Sequence, residues 1–480
     1  MAVQKLHING EWVSAAGGTL SAYNPATEEV IAEFGFGNAA DVDAAVASAA
    51  AALRDPAWRD MAPAARARLL FQLADLMQEH TEEFAELETL NQGQPLAMSR
   101  GAVASAAEHL RYFAGWITKI HGVTSPIAFP NTHQYTRREP MGVCALITPW
   151  NLPLGILCWK VAPALATGNT IIIKPAEQTP LTAIKLVELA EQIGFPRGVI
   201  NLVTGDGTTG QALVDHPGVN KVSFTGSTEV GRKIVAGSAA SNLKRVTLEL
   251  GGKAPSIIAA DADMDAAVAG NLAGSTFNNG QICAAYTRFY VDKSRHDEFV
   301  DKMAAGLKNL TIGSGMDPDT NLGPLVSAEH LANVSALVDS GVSEGAELVM
   351  GGGRAAERGY FFEPTMFTGV TDEMSIAQQE IFGPVLSVMA YDGAEELDDV
   401  IERANSTEYG LASTVWTKDM ATAHRVANGL QAGMVFVNMP PAPDMTAPWG
   451  GYKMSGWGNE MGPYAIDAYT QIKGVWMHYG

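Results

Sequence analysis

Residues 221–231, Lys221-Val222-Ser223-Phe224-Thr225-Gly226-Ser227-Thr228-Glu229-Val230-Gly231, decide the fold. A strand-like run at 221–224 meets a Gly226-Ser227 turn, and a helix opens at Thr228. The same grammar repeats on either side. Strand-like runs at Val143–Ile147, 170–173 and 199–203 alternate with helical stretches at Leu181–Ile193, 208–214 and 228–239. Such alternation predicts right-handed βαβ units and a mostly parallel, doubly wound α/β sheet. Next, 245–250 alternates as a strand, with Val246, Leu248 and Leu250 on one face and Thr247 and Glu249 on the other.

A second βα series from Pro255 to about Phe436 predicts a second α/β domain. Before the first series, Leu6-His7-Ile8 and Glu11-Trp12-Val13 flank an Asn9-Gly10 turn and read as a strand pair. Three helical stretches follow, at about 41–53, 63–90 and 101–120. The tail 468–478, with Tyr469, Ile472, Val475 and Trp476, reads as an extended edge that another subunit would cover.

At 480 residues the chain is too long for one core. A net charge of −20 with no Lys/Arg run disfavours nucleic acid and anionic membranes as partners. The apolar stretch 143–173 is interrupted by Pro149, Asn151, Pro153, Lys160 and Pro163, so no membrane span is expected. Three cysteines without CxxC or Cys/His clustering point away from disulfides and from a metal site, and toward the cytoplasm.

A literal GxGxxG occurs at 205–210. It lacks the acidic residue about 20 positions on, and Asp206 would crowd a phosphate. The better phosphate cradle is Phe224-Thr225-Gly226-Ser227, where Gly226 allows close backbone approach and Ser227 can donate to an oxygen at a helix start. An ordinary Ser-capped turn is the competing explanation. Lys174 and Glu177, ending the strand-like run at 170–173, can grip ribose hydroxyls, or can form a plain surface ion pair. A carboxylate there repels a 2′-phosphate, favouring NAD over NADP.

The chemistry centres on Cys283, in Phe277-Asn278-Asn279-Gly280-Gln281-Ile282-Cys283, and on Glu249. A thiol can attack a carbonyl and hold the product as a thioester, and a carboxylate can activate the water that releases it. With an ordinary thiol pKa of about 8.5, the site must favour the thiolate or supply a base. Cys144 and Cys158 lie in apolar runs and read as core.

Seven blocks in order resemble the aldehyde dehydrogenase superfamily almost end to end. They are 149–151 (Pro-Trp-Asn), 174–177 (Lys-Pro-Ala-Glu), 224–227 (Phe-Thr-Gly-Ser), 248–253 (Leu-Glu-Leu-Gly-Gly-Lys), 280–283 (Gly-Gln-Ile-Cys), 380–384 (Glu-Ile-Phe-Gly-Pro) and 450–456 (Gly-Gly-Tyr-Lys-Met-Ser-Gly). The resemblance implies a Rossmann-like NAD-binding domain (1–118 and 142–250), a catalytic domain (251–450) and a small β oligomerisation arm (119–141 and 451–480). A homodimer or homotetramer would follow.

By resemblance, Cys283 is the nucleophile and Asn151 with the Cys283 backbone N–H holds the oxyanion. A turn role beside Pro153 competes for Asn151. Glu249 is the hydrolytic base, and Lys160 and Glu460 belong to a proton relay. Ile147, Pro149, Trp150, Lys174, Glu177, Gly207, Phe224, Gly226, Ser227, Gly251, Glu380 and Phe382 would contact NAD. A hydrolytic base favours a free acid over acyl transfer to coenzyme A.

Leu152, Ile156, Trp159, Phe277 and Trp449 would line the aldehyde tunnel. Their apolar and aromatic character favours an uncharged aromatic or medium aliphatic aldehyde. Trp159 and Trp449, with Asp444 near in sequence, leave an amino- or betaine-type aldehyde open. Tyr286, Asn459 and the loop 439–444 depart from the family pattern and bear on specificity. A cofactor-independent cysteine esterase would not need Lys174, Glu177 and Ser227. A non-catalytic relative would not need Cys283 and Glu249.

Overall fold

The computed structural model describes residues 3–393 and 396–480. Among these residues the strands form an eight-stranded sheet, a seven-stranded sheet and two two-stranded sheets. In the first sheet, five parallel strands run in the order Arg245–Glu249, Lys221–Thr225, Val143–Ile147, Thr170–Lys174, Ile200–Leu202. Antiparallel strands close both edges: Gly456–Trp457 on one, Leu6–Ile8 and Glu11–Val13 on the other. The strands 143–147, 170–174 and 221–225 are buried along their whole length, as befits parallel strands covered on both faces.

Chain order reverses between Val143–Ile147 and Lys221–Thr225. From the first the chain steps outward to 170 and 200, and from the second it steps the other way to 245. The crevice beyond the carboxyl ends of two such strands is where open α/β sheets bind ligands. Helices Pro63–Glu79, Leu96–Trp116, Pro153–Ala166 and Leu181–Ile193 share one apolar core with this sheet. Residues of helix Ala39–Arg54 and the helices after 206 and 227 fill a second core with Val143, Val222 and Leu248.

The second sheet runs from Ala254–Ile258 to Met434–Val437, parallel except for the edge strand Glu347–Met350. A third pairs Thr132–Pro140 with Thr470–His478, antiparallel over their full length, and exposes Ile472, Trp476 and Met477.

Differences from the sequence expectation are local. The stretch 63–90 is two helices, Pro63–Glu79 and Thr81–Gln92, because His80 adopts a non-helical cap geometry. No Gly or Pro marks that break. The third helix starts at Leu96, right after Pro95, and ends in a 3₁₀ turn at Ile117–Lys119. Strands Thr19–Asn24 and Glu29–Gly35 form a hairpin that periodicity did not reveal.

Candidate active site

Two glycines let three segments converge. A Cβ on Gly251 would lie 2.3 Å from Glu380 Oε2, and one on Gly252 would lie 2.2 Å from the Cys283 carbonyl oxygen. The Gly252 N–H donates to Glu380 Oε1 at 2.8 Å. Strand Arg245–Glu249 therefore ends against both the thiol loop and the Glu380 loop.

The thiol loop is a strained turn. Asn278, Asn279 and Gly280 are successively left-handed, with φ of 50°, 56° and 73°. Each non-glycine there costs roughly 1–2 kcal/mol, a cost Asn lowers by local hydrogen bonding. Asn278 Nδ2 donates to the Asn151 carbonyl and Asn279 Nδ2 to the Gly323 carbonyl, each at 2.8 Å. Gln281 Oε1 accepts from the Val326 N–H at 3.0 Å. The polar approach to Cys283 is thus scaffolding that aims the residue. Cys283 is half-buried, whereas Cys144 and Cys158 are fully buried core.

Cys283 opens onto a cleft of about 830 Å³ at the switch point of the first sheet. Pro149, Trp150, Asn151 and Ile156 follow strand Val143–Ile147 along its wall, and Gly226 and Ser227 follow strand Lys221–Thr225. Gly251, Glu380 and Phe382 complete the sequence-derived lining. The Asn151 side chain donates one N–H to the Gln281 carbonyl at 2.8 Å, which leaves its second N–H available to the cleft.

Other residues named from sequence lie behind or beside this wall. Ile147 and Phe224 are buried strand ends, and Lys174 Nζ reaches Glu177 Oε2 at 3.5 Å. Burial pulls the Lys174 ammonium pKa down, opposed by Glu177 and Asp206. Gly207 is not brought to the cleft wall. It opens a helix whose first N–H groups are already engaged by Asp206, which accepts from Thr208 N at 2.8 Å. Leu152, Ile156, Trp159, Trp449 and Cys283 share one apolar cluster, with the Trp159 and Trp449 rings 5.6 Å apart. Phe277 stands apart as half-exposed.

Reading the sequence missed His330, Asn333 and Leu337, which line the cleft from helix Ala328–Ser343. Their spacing of three and four is an ordinary amphipathic face and carried no chemical signal. His330 Nε2 lies 2.7 Å from the Phe382 carbonyl, and its ring packs 5.1 Å from Trp150. Burial holds the imidazole pKa down at about 4, so it is neutral and its Nε2–H donates. That bond braces Phe382, itself left-handed at φ 59°.

The charged groups acting on the thiol are carboxylates. Burial first, then the Glu380 and Glu249 carboxylates, push the Cys283 thiol pKa up. That direction favours the protonated thiol over the thiolate, so its proton must leave as the sulfur attacks. Glu249 is buried with both oxygens free of hydrogen bonds. Burial and nearby Glu460 raise its carboxyl pKa well above the ordinary range, opposed by Lys160. Lys160 Nζ contacts Glu460 Oε1 directly and Ser223 Oγ at 3.2 Å. Burial raises Glu380 to about 7 against the Gly252 N–H and Lys253.

The cleft fits a dinucleotide. A Cβ on Gly226 would strike the Phe224 ring at 2.4 Å, the buried Thr225 Oγ1 has no partner, and helix Thr228–Ala240 begins there with Ser227 as cap.

A half-buried thiol beside a buried, unpartnered carboxylate at a switch-point crevice is the arrangement of an enzyme that holds its substrate covalently. A model described as the aldehyde dehydrogenase family matches residues 12–475, and the chain belongs to that family. Aldehyde dehydrogenase of Enchytraeus buchholzi is 49% identical over 98% of this chain and 95% of its own length. Aldehyde dehydrogenase, cytosolic 1, of Mus musculus is 48% identical over 98% of this chain and 94% of its own. The NAD+ complex of an aldehyde dehydrogenase from Bacillus cereus superposes with a TM-score of 0.97 at 46% identity, covering 100% of this chain and 97% of that one. Betaine aldehyde dehydrogenase from Staphylococcus aureus, in complex with NAD+, gives 0.96 at 39% identity, covering 99% and 94%.

Proposed function

We propose that this enzyme oxidises an uncharged aromatic or medium aliphatic aldehyde to its carboxylic acid, with NAD as acceptor and water releasing the product. One observation carries this reading: Cys283 and Asn151 face the same cleft as Gly226, Ser227 and Glu380, with Glu249 buried within electrostatic reach of the sulfur.

Cys283 gives its thiol proton to solvent in the cleft as Sγ adds to the aldehyde carbon, and the oxyanion that forms accepts from the free Asn151 N–H and the Cys283 backbone N–H. Losing one such donor costs about 3 kcal/mol of barrier. When bound, NAD supplies the two-electron acceptor that turns this adduct into a thioester. Gly226 and Ser227 would hold its pyrophosphate. Lys174 and Glu177 would take the adenosine ribose, and the Glu177 carboxylate would repel a 2′-phosphate, disfavouring NADP. Glu380, Phe382, Pro149 and Trp150 would flank the nicotinamide half, with Ile147, Phe224 and Gly251 shaping the wall. Glu249 then takes a proton from water as the hydroxide attacks the thioester, with Lys160 and Glu460 relaying that proton.

Cationic amino- or betaine-type aldehydes form a second reading. It is supported by the close Trp159–Trp449 pair and by Asp444, whose carboxylate is near enough to raise His109 against burial. A cofactor-free esterase would leave the Gly226-Ser227 cradle without purpose.

We assign residues 1–118 and 142–250 to cofactor binding, 251–450 to catalysis, and 119–141 with 451–480 to an arm joining a homodimer or homotetramer. A cytoplasmic location accords with the free thiols. Among the described residues no helix is long and apolar enough to cross a membrane. NADH absorbance across a panel of aromatic, aliphatic and amino-aldehydes tests the reading. Turnover without NAD, or none with any aldehyde, overturns it.

A further inference from the structure

Strands Lys221–Thr225 and Arg245–Glu249 lie side by side in parallel, with Lys221 opposite Arg245, Ser223 opposite Thr247 and Thr225 opposite Glu249. Side chains alternate along a strand, so these six residues share one face of the sheet. The other face carries Val222, Phe224, Val246 and Leu248, which pack into an apolar core. A covered parallel sheet is ordinarily apolar on both sides. Here one face is a polar stripe, and all of it except Arg245 is buried.

Burying unpaired polar groups is costly, so a continuous row of them calls for a reason. The stripe has an inner and an outer end. Glu249 and Thr225 lie at the carboxyl ends, beside the thiol site. Lys221 and Arg245 lie at the amino ends and line a separate surface cavity of about 620 Å³, together with Thr247, Asn459 and Asp467.

Between the ends, Lys160, Ser223 and Glu460 are joined by hydrogen bonds, and Lys221 and Tyr469 pack against each other further out. Ser223 Oγ donates to Glu460 Oε1 at 2.9 Å and accepts from Lys160 Nζ at 3.2 Å. The Tyr469 hydroxyl is buried, makes no hydrogen bond and lies next to Ser223 and Glu460. Its ring lies 4.8 Å beneath Lys221 Nζ, which donates to Thr247 Oγ1 at 2.9 Å.

Resting on the hydrolytic reading above, we propose that Lys221, with Ser223 and the Tyr469 hydroxyl, passes the proton of thioester hydrolysis from Glu249, Lys160 and Glu460 to this surface cavity. Water gives its proton to Glu249 and its hydroxide to the acyl carbon, and the carbon–sulfur bond breaks. The acid leaves as carboxylate, its proton staying on the sulfur. Glu249 must then lose the proton it took before it can act again, and the cleft above it is occupied by product and cofactor. The stripe leads that proton out on the opposite side.

Lys221 is suited to the task because it can release a proton near neutrality. Burial lowers its pKa to about 8, a shift that Lys160 and Arg245 reinforce and that Cys144 and Glu460 oppose. Thr247 and the Tyr469 ring are its uncharged neighbours. Lys221 touches neither aldehyde nor cofactor and acts through Glu249.

The test is stopped-flow NADH absorbance on Lys221→Met in the full-length enzyme, in light and heavy water. An unchanged first-turnover burst, a steady state slowed by about 10-fold or more and a larger solvent isotope effect on the steady state alone are expected. Added methylamine should restore part of the steady rate in Lys221→Ala. A steady state equal to wild type, or one that falls only in proportion to the burst, overturns the proposal. Should Lys221→Met not fold, Ser223→Ala with the same readouts decides. A wild-type enzyme giving no burst with any aldehyde would instead sink the parent reading.

Discussion

Gly251 and Glu380 are in such close contact that a single methyl on the glycine would occupy the space of a carboxylate oxygen, 2.3 Å from Oε2. That contact, with the Gly252 N–H bond to Oε1, fixes a half-buried carboxylate at the mouth of the cofactor cleft. Gly251→Ala should displace Glu380 and weaken NAD binding by about 10-fold or more, equivalent to about 1.4 kcal/mol. Fluorescence titration with NAD measures it. An unchanged Kd would remove Glu380 from the cofactor site.

Glu249→Gln should leave the first turnover and slow deacylation by about 100-fold or more, seen as an NADH burst followed by a slow steady state. Because burial and Glu460 raise the Glu249 pKa, wild-type deacylation should gain rate with rising pH along a limb well above that of an ordinary carboxylate. The Glu249→Gln enzyme should lose that limb. Deacylation that stays fast would assign the base elsewhere.

A buried acid outside the site makes a stability prediction. Glu88 accepts from Leu154 N at 3.3 Å at the start of helix Pro153–Ala166, and burial raises its pKa from 4.5 to about 7. The folded state therefore binds this proton more tightly than the unfolded chain. The stability it brings is complete below pH 4.5 and lost as pH rises through 7, at most about 3 kcal/mol from this group. Glu88→Gln should flatten that part of the stability–pH curve, raising stability relative to wild type above pH 7. Denaturant melts from pH 5 to 8 measure it, and identical slopes for the two proteins would contradict the assignment.

The arm makes a fourth prediction. Ile472, Trp476 and Met477 are exposed on the strand that pairs with Thr132–Pro140. Ile472→Asp with Trp476→Glu should yield a smaller assembly by light scattering, since charge in an apolar interface core is strongly unfavourable. An unchanged mass would place the subunit contact on another surface.

Much of this was legible in the sequence because the central strands are buried on both faces and bounded by clear turn chemistry. Val143–Ile147 and Leu181–Ile193 match the sequence reading residue for residue. The hairpin at 19–35 escaped because its residues alternate only weakly between buried and exposed. The break at His80 has no local signature at all. Cys283 and Glu249 stood out by chemistry, whereas His330 did not: its role depends on a carbonyl 52 positions away in the chain. The motif at 205–210 is discounted by its own chemistry, and Asp206 caps that helix, accepting from the Thr208 N–H. The polar stripe from Lys221 to Glu249 was written in two alternating strands, but its meaning required knowing that both faces are covered.

The most direct test is to quench the Glu249→Gln enzyme during turnover with an aldehyde and NAD and weigh its peptides. One acyl group on the peptide carrying Cys283 is expected, absent when NAD is omitted. No acyl adduct, or one on any other residue, would contradict covalent catalysis by that sulfur.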